Sequence, residues 1–221
     1  MKKLNNIYKI AFLSVAIFFG ACSEDFLYLP PQTTITVSEF YKNQSDFETA
    51  INGLYSKLSN YPMNQNYMME EYRSDNMTCD QIRRGNLANN TFSPNSEIET
   101  WQLYTELIYP ANVILDKLDG VSMDAEAKNR IKGEAHFFRG FAYHQLALWF
   151  GGVPLVTKPL SFEESYNLGR STEADTWDQA QSDYSLAYQL LDPSVEIGRV
   201  DKYDAGAFLG KVYMQTQKWA E

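Results

Sequence analysis

The sequence predicts an all-α, helical-repeat fold on three observations. Apolar residues recur at three- and four-residue steps through three long stretches. No alternating apolar and polar run of comparable length competes with them. A tryptophan, alanine and tyrosine pattern then recurs along the later part of the chain at repeat-like spacing.

The first element, residues 1–21, is a targeting segment. Lys2, Lys3 and Lys9 make a basic start, and Ile10 to Phe19 form an apolar run of ten residues, signal-peptide length and too short to span a bilayer. It ends in Phe19-Gly20-Ala21-Cys22, one large apolar residue and two small ones before a cysteine. That arrangement resembles the lipobox of bacterial lipoproteins, which implies that the Cys22 thiol is acylated, the preceding peptide bond cut and the new amine acylated. Three chains at about 0.8 kcal/mol per buried methylene go far beyond the marginal binding of a single chain, so Cys22 is expected to be an anchor. The alternative is an ordinary secretory signal with a cysteine beside its cleavage site. Ser23-Glu24-Asp25 resembles the acidic tag that sends lipoproteins of Bacteroidetes-type bacteria to the outer face of the outer membrane. Residues 22–36 read as the lipidated arm, bearing Pro and Thr without a helical period and suited to a spacer.

The body is expected over residues 37–221. Ser45-Asp46-Phe47-Glu48 reads as a capping box, followed by an apolar face of Phe47, Ile51, Leu54, Tyr55 and Leu58. A second face runs through Tyr104, Leu107, Ile108, Ala111, Ile114, Leu115 and Leu118 to the stop at Asp119-Gly120, with Pro110 inside it as a bend. The third helix is expected from near Asp124, carrying Ile131, Ala135, Phe138, Ala142, Leu146 and Trp149. Gly151-Gly152-Val153-Pro154 ends it, by positive-φ termination and a rigid exit.

Trp177, Ala180, Tyr184, Ala187 and Pro193 then fall at steps of three, four, three and six, close to the second helix and closing proline of a tetratricopeptide repeat. Leu209-Gly210 with Tyr213 gives a first-helix pattern, and Arg139-Gly140 with Tyr143 echoes it. Trp219 stands where a partner helix should begin, so the chain is expected to stop in mid-repeat, with Leu209 and Tyr213 uncovered.

Charge narrows the function classes. The chain has 19 basic and 28 acidic residues; without the three leader lysines, 16 face 28, a net charge of −12 from Cys22 onward. That balance argues against nucleic acid and repels anionic lipid, leaving the lipid anchor as the only membrane attachment. With Cys22 acylated, Cys79 has no partner for a disulfide, so stability rests on a packed core.

Two blocks carry a resemblance to a known family: "GEAHFFRGFAYHQLALWFGGVPLVTKPL", Gly133 to Leu160, and "GRVDKYDAGAFLGKVYMQTQKW", Gly198 to Trp219. They resemble the SusD/RagB family of nutrient-binding outer-membrane lipoproteins, and "CSEDFLYLPPQ", "EFYKNQSDFETAINGLYSKL" and "WQLYTELIYPANVIL" follow in the family's order. Departures fall at His136, Phe138 and Gly140, where the family's usual run is EARFLRA, and at Tyr28 in place of an aspartate. Members are much longer, so the resemblance implies an N-terminal portion. It also implies an all-α, tetratricopeptide-like scaffold with long ligand-binding loops, no catalysis and no cofactor. The implied role is a surface lid that captures oligosaccharide, or peptide in the RagB branch, and delivers it to a SusC-like TonB-dependent transporter.

The residues themselves place a candidate loop at Tyr61 to Asn95, which has no sustained helical period and is crowded with asparagine. Asp75, Asn76, Arg83 and Arg84 supply the acceptors and donors that sugar hydroxyls need. The resemblance adds that an acid and an arginine at similar positions can contact ligand, which points to Asp75 and Arg83; a loop-internal ion pair is the alternative. Tyr67 and Tyr72 are weaker candidates, and Trp101 beside the loop is either core packing or a stacking platform.

Other constellations read as structure. His136 and His144 lie eight apart, without zinc-site spacing or carboxylate partners, so no metal site is expected. Gly206 to Val212 falls one residue short of a P-loop, lacks its Ser/Thr and reads as helix. Glu134 and Arg139 read as an ion network, and Arg199 as an anchor for the following helix. A glycosidase needs two carboxylates facing each other across a sugar, and no pair is marked by its sequence setting. A tetratricopeptide adaptor scaffolding other envelope proteins remains the competing reading.

Overall fold

The computed structural model describes residues 39–61, 71, 74, 89, 91, 99–194 and 196–220. The chain divides into two compact units, Met1–Phe40 and Tyr41–Glu221. Only Glu39 and Phe40 of the first are described, so the helices and the cleft all belong to the second.

Every element among the described residues is helical, as the periodicity predicts. In chain order they are α1 (Gln44–Tyr61), a 3₁₀ turn (Glu99–Gln102), a π-helical turn (Tyr104–Ile108), α2 (Tyr109–Leu118), α3 (Ala125–Phe150), α4 (Phe162–Tyr166), α5 (Glu173–Leu190) and α6 (Lys202–Gln215). The repeat spacing on α3, α5 and α6 and the stacked helices together give the tetratricopeptide-like scaffold.

α1 starts two residues earlier than its sequence suggests. Asn43 Oδ1 accepts from Asp46 N at 3.2 Å, and Asp46 Oδ2 accepts from the Asn43 and Lys42 amides at 3.2 and 2.8 Å. The reciprocal cap is therefore Asn43 with Asp46, not Ser45 with Glu48: asparagine and aspartate satisfy the free amides as well as serine and glutamate do. This leaves the Glu48 carboxylate to the Arg130 guanidinium.

Around Pro110 the backbone stays helical, with Ile108 and Tyr109 both at helical φ and ψ, but its winding changes. The chain winds as a π turn first, with Tyr109 N–H bonded to Tyr104 O, and passes directly into α2 at Tyr109. Pro110 thus sits in the first α turn, where its missing N–H has no partner to lose. The expected apolar face survives the change: Leu107, Ile108, Ala111, Ile114 and Leu118 are all buried.

α3 is the axis of the body. Asp124 caps it by accepting from Ala127 N at 3.0 Å, and every residue from Gly133 to Ala147 is buried. A helix covered on all sides is a core helix rather than an amphipathic surface one. α1 and α2 pack on it, and α5 lies antiparallel along it. The small residues decide the closeness. A Cβ on Gly140 would stand 3.1 Å from Asp183 Cβ, and one on Gly133 2.8 Å from Leu191 Cγ. Trp177, Ala180, Tyr184 and Ala187 of α5 are buried as their spacing predicts. Phe137 meets Tyr184 and Phe208 edge-on at 5.5 and 5.3 Å, tying α3, α5 and α6 into one core. Each such side chain contributes about 1.5–3 kcal/mol by burial.

Both histidines are inside. His144 lies 3.3 Å from Tyr184 Oη, and burial, reinforced by the Lys211 charge, lowers its pKa to about 4. His136 bonds to Asp183 of α5. Trp219 lies in a turn after α6 and is exposed.

A candidate ligand cleft at Trp101

After α3 the chain cannot continue as helix. Gly151 has a φ of 67°, and a Cβ on Gly152 would stand 2.0 Å from Ser171 O. The chain leaves as an irregular strap, residues 152–158, that is neither helix nor strand. Its polar groups are met by side chains from the helices beneath. Tyr104 Oη donates to Pro154 O at 2.5 Å and Asn112 Nδ2 to Val156 O at 2.8 Å. Tyr143 Oη both donates to Val156 O and accepts from Val156 N, at 2.9 and 2.6 Å. Thr176 Oγ1 accepts from Val153 N at 3.2 Å.

Deeper still, Arg139 donates Nη1 to Thr157 O at 3.1 Å and to Asn112 Oδ1 at 2.7 Å. Its Nε and Nη2 go to the two oxygens of Asp183 at 2.9 and 2.7 Å, and Asp183 also takes His136 Nδ1 at 2.8 Å and Gln179 Nε2 at 2.9 Å. Burial pushes the Asp183 carboxyl up, but the His136 hydrogen bond and the Arg139 guanidinium outweigh it and hold it below its ordinary value. Glu134 on the same helix goes the other way: burial raises it against Arg130, Arg199 and Tyr55. Glu134 and Arg139, read together from the sequence as one network, thus belong to two. Glu134 joins Arg130 and Arg199, linking α3 to α1 and to the turn before α6. Arg139 holds the strap.

Above the strap lies a cleft of about 340 Å³ lined by Trp101, Phe150, Gly152, Pro154 and Arg170. Trp101, on the 3₁₀ turn, is 48% exposed. It packs edge to face on Phe150, with ring centres 5.2 Å apart at 87°, and lies 5.0 Å from the Tyr104 ring. It packs against the body on one side and leaves nearly half of its surface open. Arg170, also in the lining, donates Nε to Gly152 O at 2.6 Å and Nη2 to Phe150 O at 2.7 Å. An indole held by ring contacts beside a proline and a guanidinium offers an electron-rich face and nearby donors. The apolar C–H face of a sugar ring fits the first and its hydroxyls the second. Two larger grooves, about 880 and 550 Å³, lie at the opposite end of α3 around Glu126 and Asp192, and neither is lined by an aromatic residue.

Of the residues singled out in the sequence, Trp101 falls in the cleft. Asp75, Asn76, Arg83, Arg84, Tyr67, Tyr72 and Cys22 lie outside the described residues. Gly152 and Pro154 were visible in the sequence as part of a helix terminator, which signals a turn and no ligand, and Phe150 was not singled out. Arg170 had no sequence signal. Among the described residues no group of three or more His, Cys, Asp and Glu could hold a metal ion, and no helix is long and apolar enough to cross a membrane.

Comparison with known proteins agrees with this architecture. Residues 25–214 match a SusD-like family described as "Starch-binding associating with outer membrane". SusD-like protein P25 of Formosa agariphila is 31% identical over 235 residues, which cover 98% of this chain and 44% of the relative. A SusD-like protein of Bacteroides fragilis shares the fold, with a TM-score of 0.75 at 24% identity over 87% of this chain and 39% of that one. A laminarin-binding SusD-like protein gives 0.71 at 26% identity, over 80% and 41%. The chain spans less than half the length of the relatives it matches. The family match runs from the residues after the cysteine into the last turn of α6, taking in α1 to α5 whole, and the chain belongs to the SusD-like family, which associates with the outer membrane.

Proposed function

We propose that this chain forms the helical body of a glycan-binding lipoprotein at the cell surface, anchored through Cys22. It captures oligosaccharide without catalysis and passes it to a SusC-like TonB-dependent transporter. One observation carries the ligand part of this reading: Trp101, a large aromatic kept half exposed at a cleft whose other lining residues Gly152, Pro154 and Arg170 are pinned by hydrogen bonds. A platform that is already rigid loses little entropy on binding. The family description and the laminarin-binding neighbour support a glycan rather than a peptide as the occupant. Asp75, Asn76 and Arg83 are proposed as further contacts, on the loop that the sequence suggests between Tyr61 and Asn95.

Affinity electrophoresis through gels cast with laminarin, soluble starch and other polysaccharides tests the reading. Retardation by at least one of them is expected. Free migration through all of them, with capture of a peptide library instead, would replace the glycan with a peptide.

A further inference from the structure

We propose that the Trp101 cleft selects oligosaccharides bearing an anionic group, a carboxylate or a sulfate ester, and that Arg170 reads that group. The inference rests on the reading of this cleft as a glycan site. Its basis is how the arginines are employed. Four arginines lie among the described residues. Arg130 pairs with Glu48 and Glu134, Arg139 with Asp183, and Arg199 with Glu134, Glu48 and Glu196. Arg170 has no carboxylate partner among the described residues, although the chain is strongly acidic. Glu173, three positions on and beside Gly151, accepts instead from Trp177 Nε1 at 3.3 Å.

Arg170 is nonetheless held in place. Two of its N–H groups are fixed on the carbonyls of Gly152 and Phe150, and the guanidinium lines the cleft that Trp101 opens. A guanidinium carries five N–H donors, so three remain, on a fork whose rotamers are already restricted. Such a fork matches the two oxygens of a carboxylate or sulfate, and charge-assisted bonds are roughly twice as strong as neutral ones. The net charge of −12 opposes a polyanion at long range. Selection for a charged sugar therefore has to come from a local cation beside the stacking face, which is where Arg170 stands. Because Arg170 is exposed, the preference weakens as salt rises.

The test is binding of the purified protein to an array of neutral laminari- and malto-oligosaccharides, oligogalacturonides and sulfated carrageenan oligosaccharides. Wild type is compared with Trp101→Ala, Arg170→Gln and Arg170→Lys. The expected hits are lost in Trp101→Ala and carry an anionic group. Arg170→Gln weakens them about tenfold, and Arg170→Lys restores part of the loss. Oligogalacturonide hits alone, or carrageenan hits alone, identify which anion is read. Trp101-dependent binding confined to neutral sugars and unchanged in Arg170→Gln would overturn this inference and leave the glycan reading standing. An equal loss for neutral and anionic sugars in Arg170→Gln would also overturn it, by showing that Arg170 acts through the strap alone. Binding that never depends on Trp101 would overturn both.

Discussion

Arg139 and Asp183, 44 positions apart in sequence, meet as a bidentate pair between α3 and α5, with Nε–Oδ2 and Nη2–Oδ1 distances of 2.9 and 2.7 Å. Both are buried, and the same guanidinium reaches through to Thr157 O on the strap. One ion pair thus joins the packing of the repeat helices to the wall of the cleft.

Breaking that pair should be costly. Asp183→Ala leaves the Arg139 charge buried without its counter-ion and removes the partner of His136 and Gln179. A loss of about 3–5 kcal/mol is expected, a fall of roughly 10 °C or more in a domain of this size. Urea denaturation with an unchanged m-value checks it. A loss below about 1 kcal/mol would show that the pair is solvated in solution.

Acid stability should carry the mark of His144. In the folded protein it titrates near 4, whereas the unfolded chain takes up the proton near 6.5. Between those values the unfolded state binds more protons, so stability is full above about pH 6.5 and falls as the pH drops towards 4. The contribution is up to about 3 kcal/mol. His144→Gln should flatten this part of the stability curve relative to wild type, and a parallel curve would contradict the assignment.

Two glycines should respond oppositely to alanine. Gly53 lies within α1 with nothing within 4 Å of an added Cβ, so Gly53→Ala should stabilise by about 0.5–1 kcal/mol through helix propensity. Gly152→Ala would press a Cβ onto the Ser171 carbonyl, a backbone group with little freedom to yield, and should destabilise by about 2 kcal/mol or more. Thermal unfolding of both variants reads the signs directly.

Anchoring through Cys22 predicts that Cys22→Ala takes up no clickable fatty acid during growth and leaves the membrane fraction. Undiminished label on the variant would remove the anchor.

The range of each interaction decided whether the sequence showed it. The helix faces through Phe47, Leu107 and Ile131 were legible because burial repeats every turn, a local signal. The switch from π turn to α2 at Pro110 was not, because proline forbids a hydrogen bond without saying how the chain avoids it. Asn43 and Asp46 were passed over because two neighbouring boxes of similar chemistry competed and only geometry separates them. The network beneath the strap was hidden for a different reason. Arg139, Asn112, Asp183 and Thr157 come from four separate segments, and no spacing announces that they converge. Trp101 was half legible: its position beside a loop left core packing and a stacking platform both open, and only the structure shows that nearly half of its surface is exposed.

Calorimetric binding of an oligosaccharide, cut from whichever polysaccharide retards the protein, puts the Trp101 platform itself to the test. Wild type would be compared with Trp101→Ala and with Trp219→Ala, the latter an exposed tryptophan outside the cleft. Trp101→Ala is expected to lose about 2 kcal/mol, roughly thirtyfold in affinity, while Trp219→Ala binds as wild type and both keep their melting temperature. Undiminished affinity in Trp101→Ala would contradict the platform and move the glycan site away from this cleft.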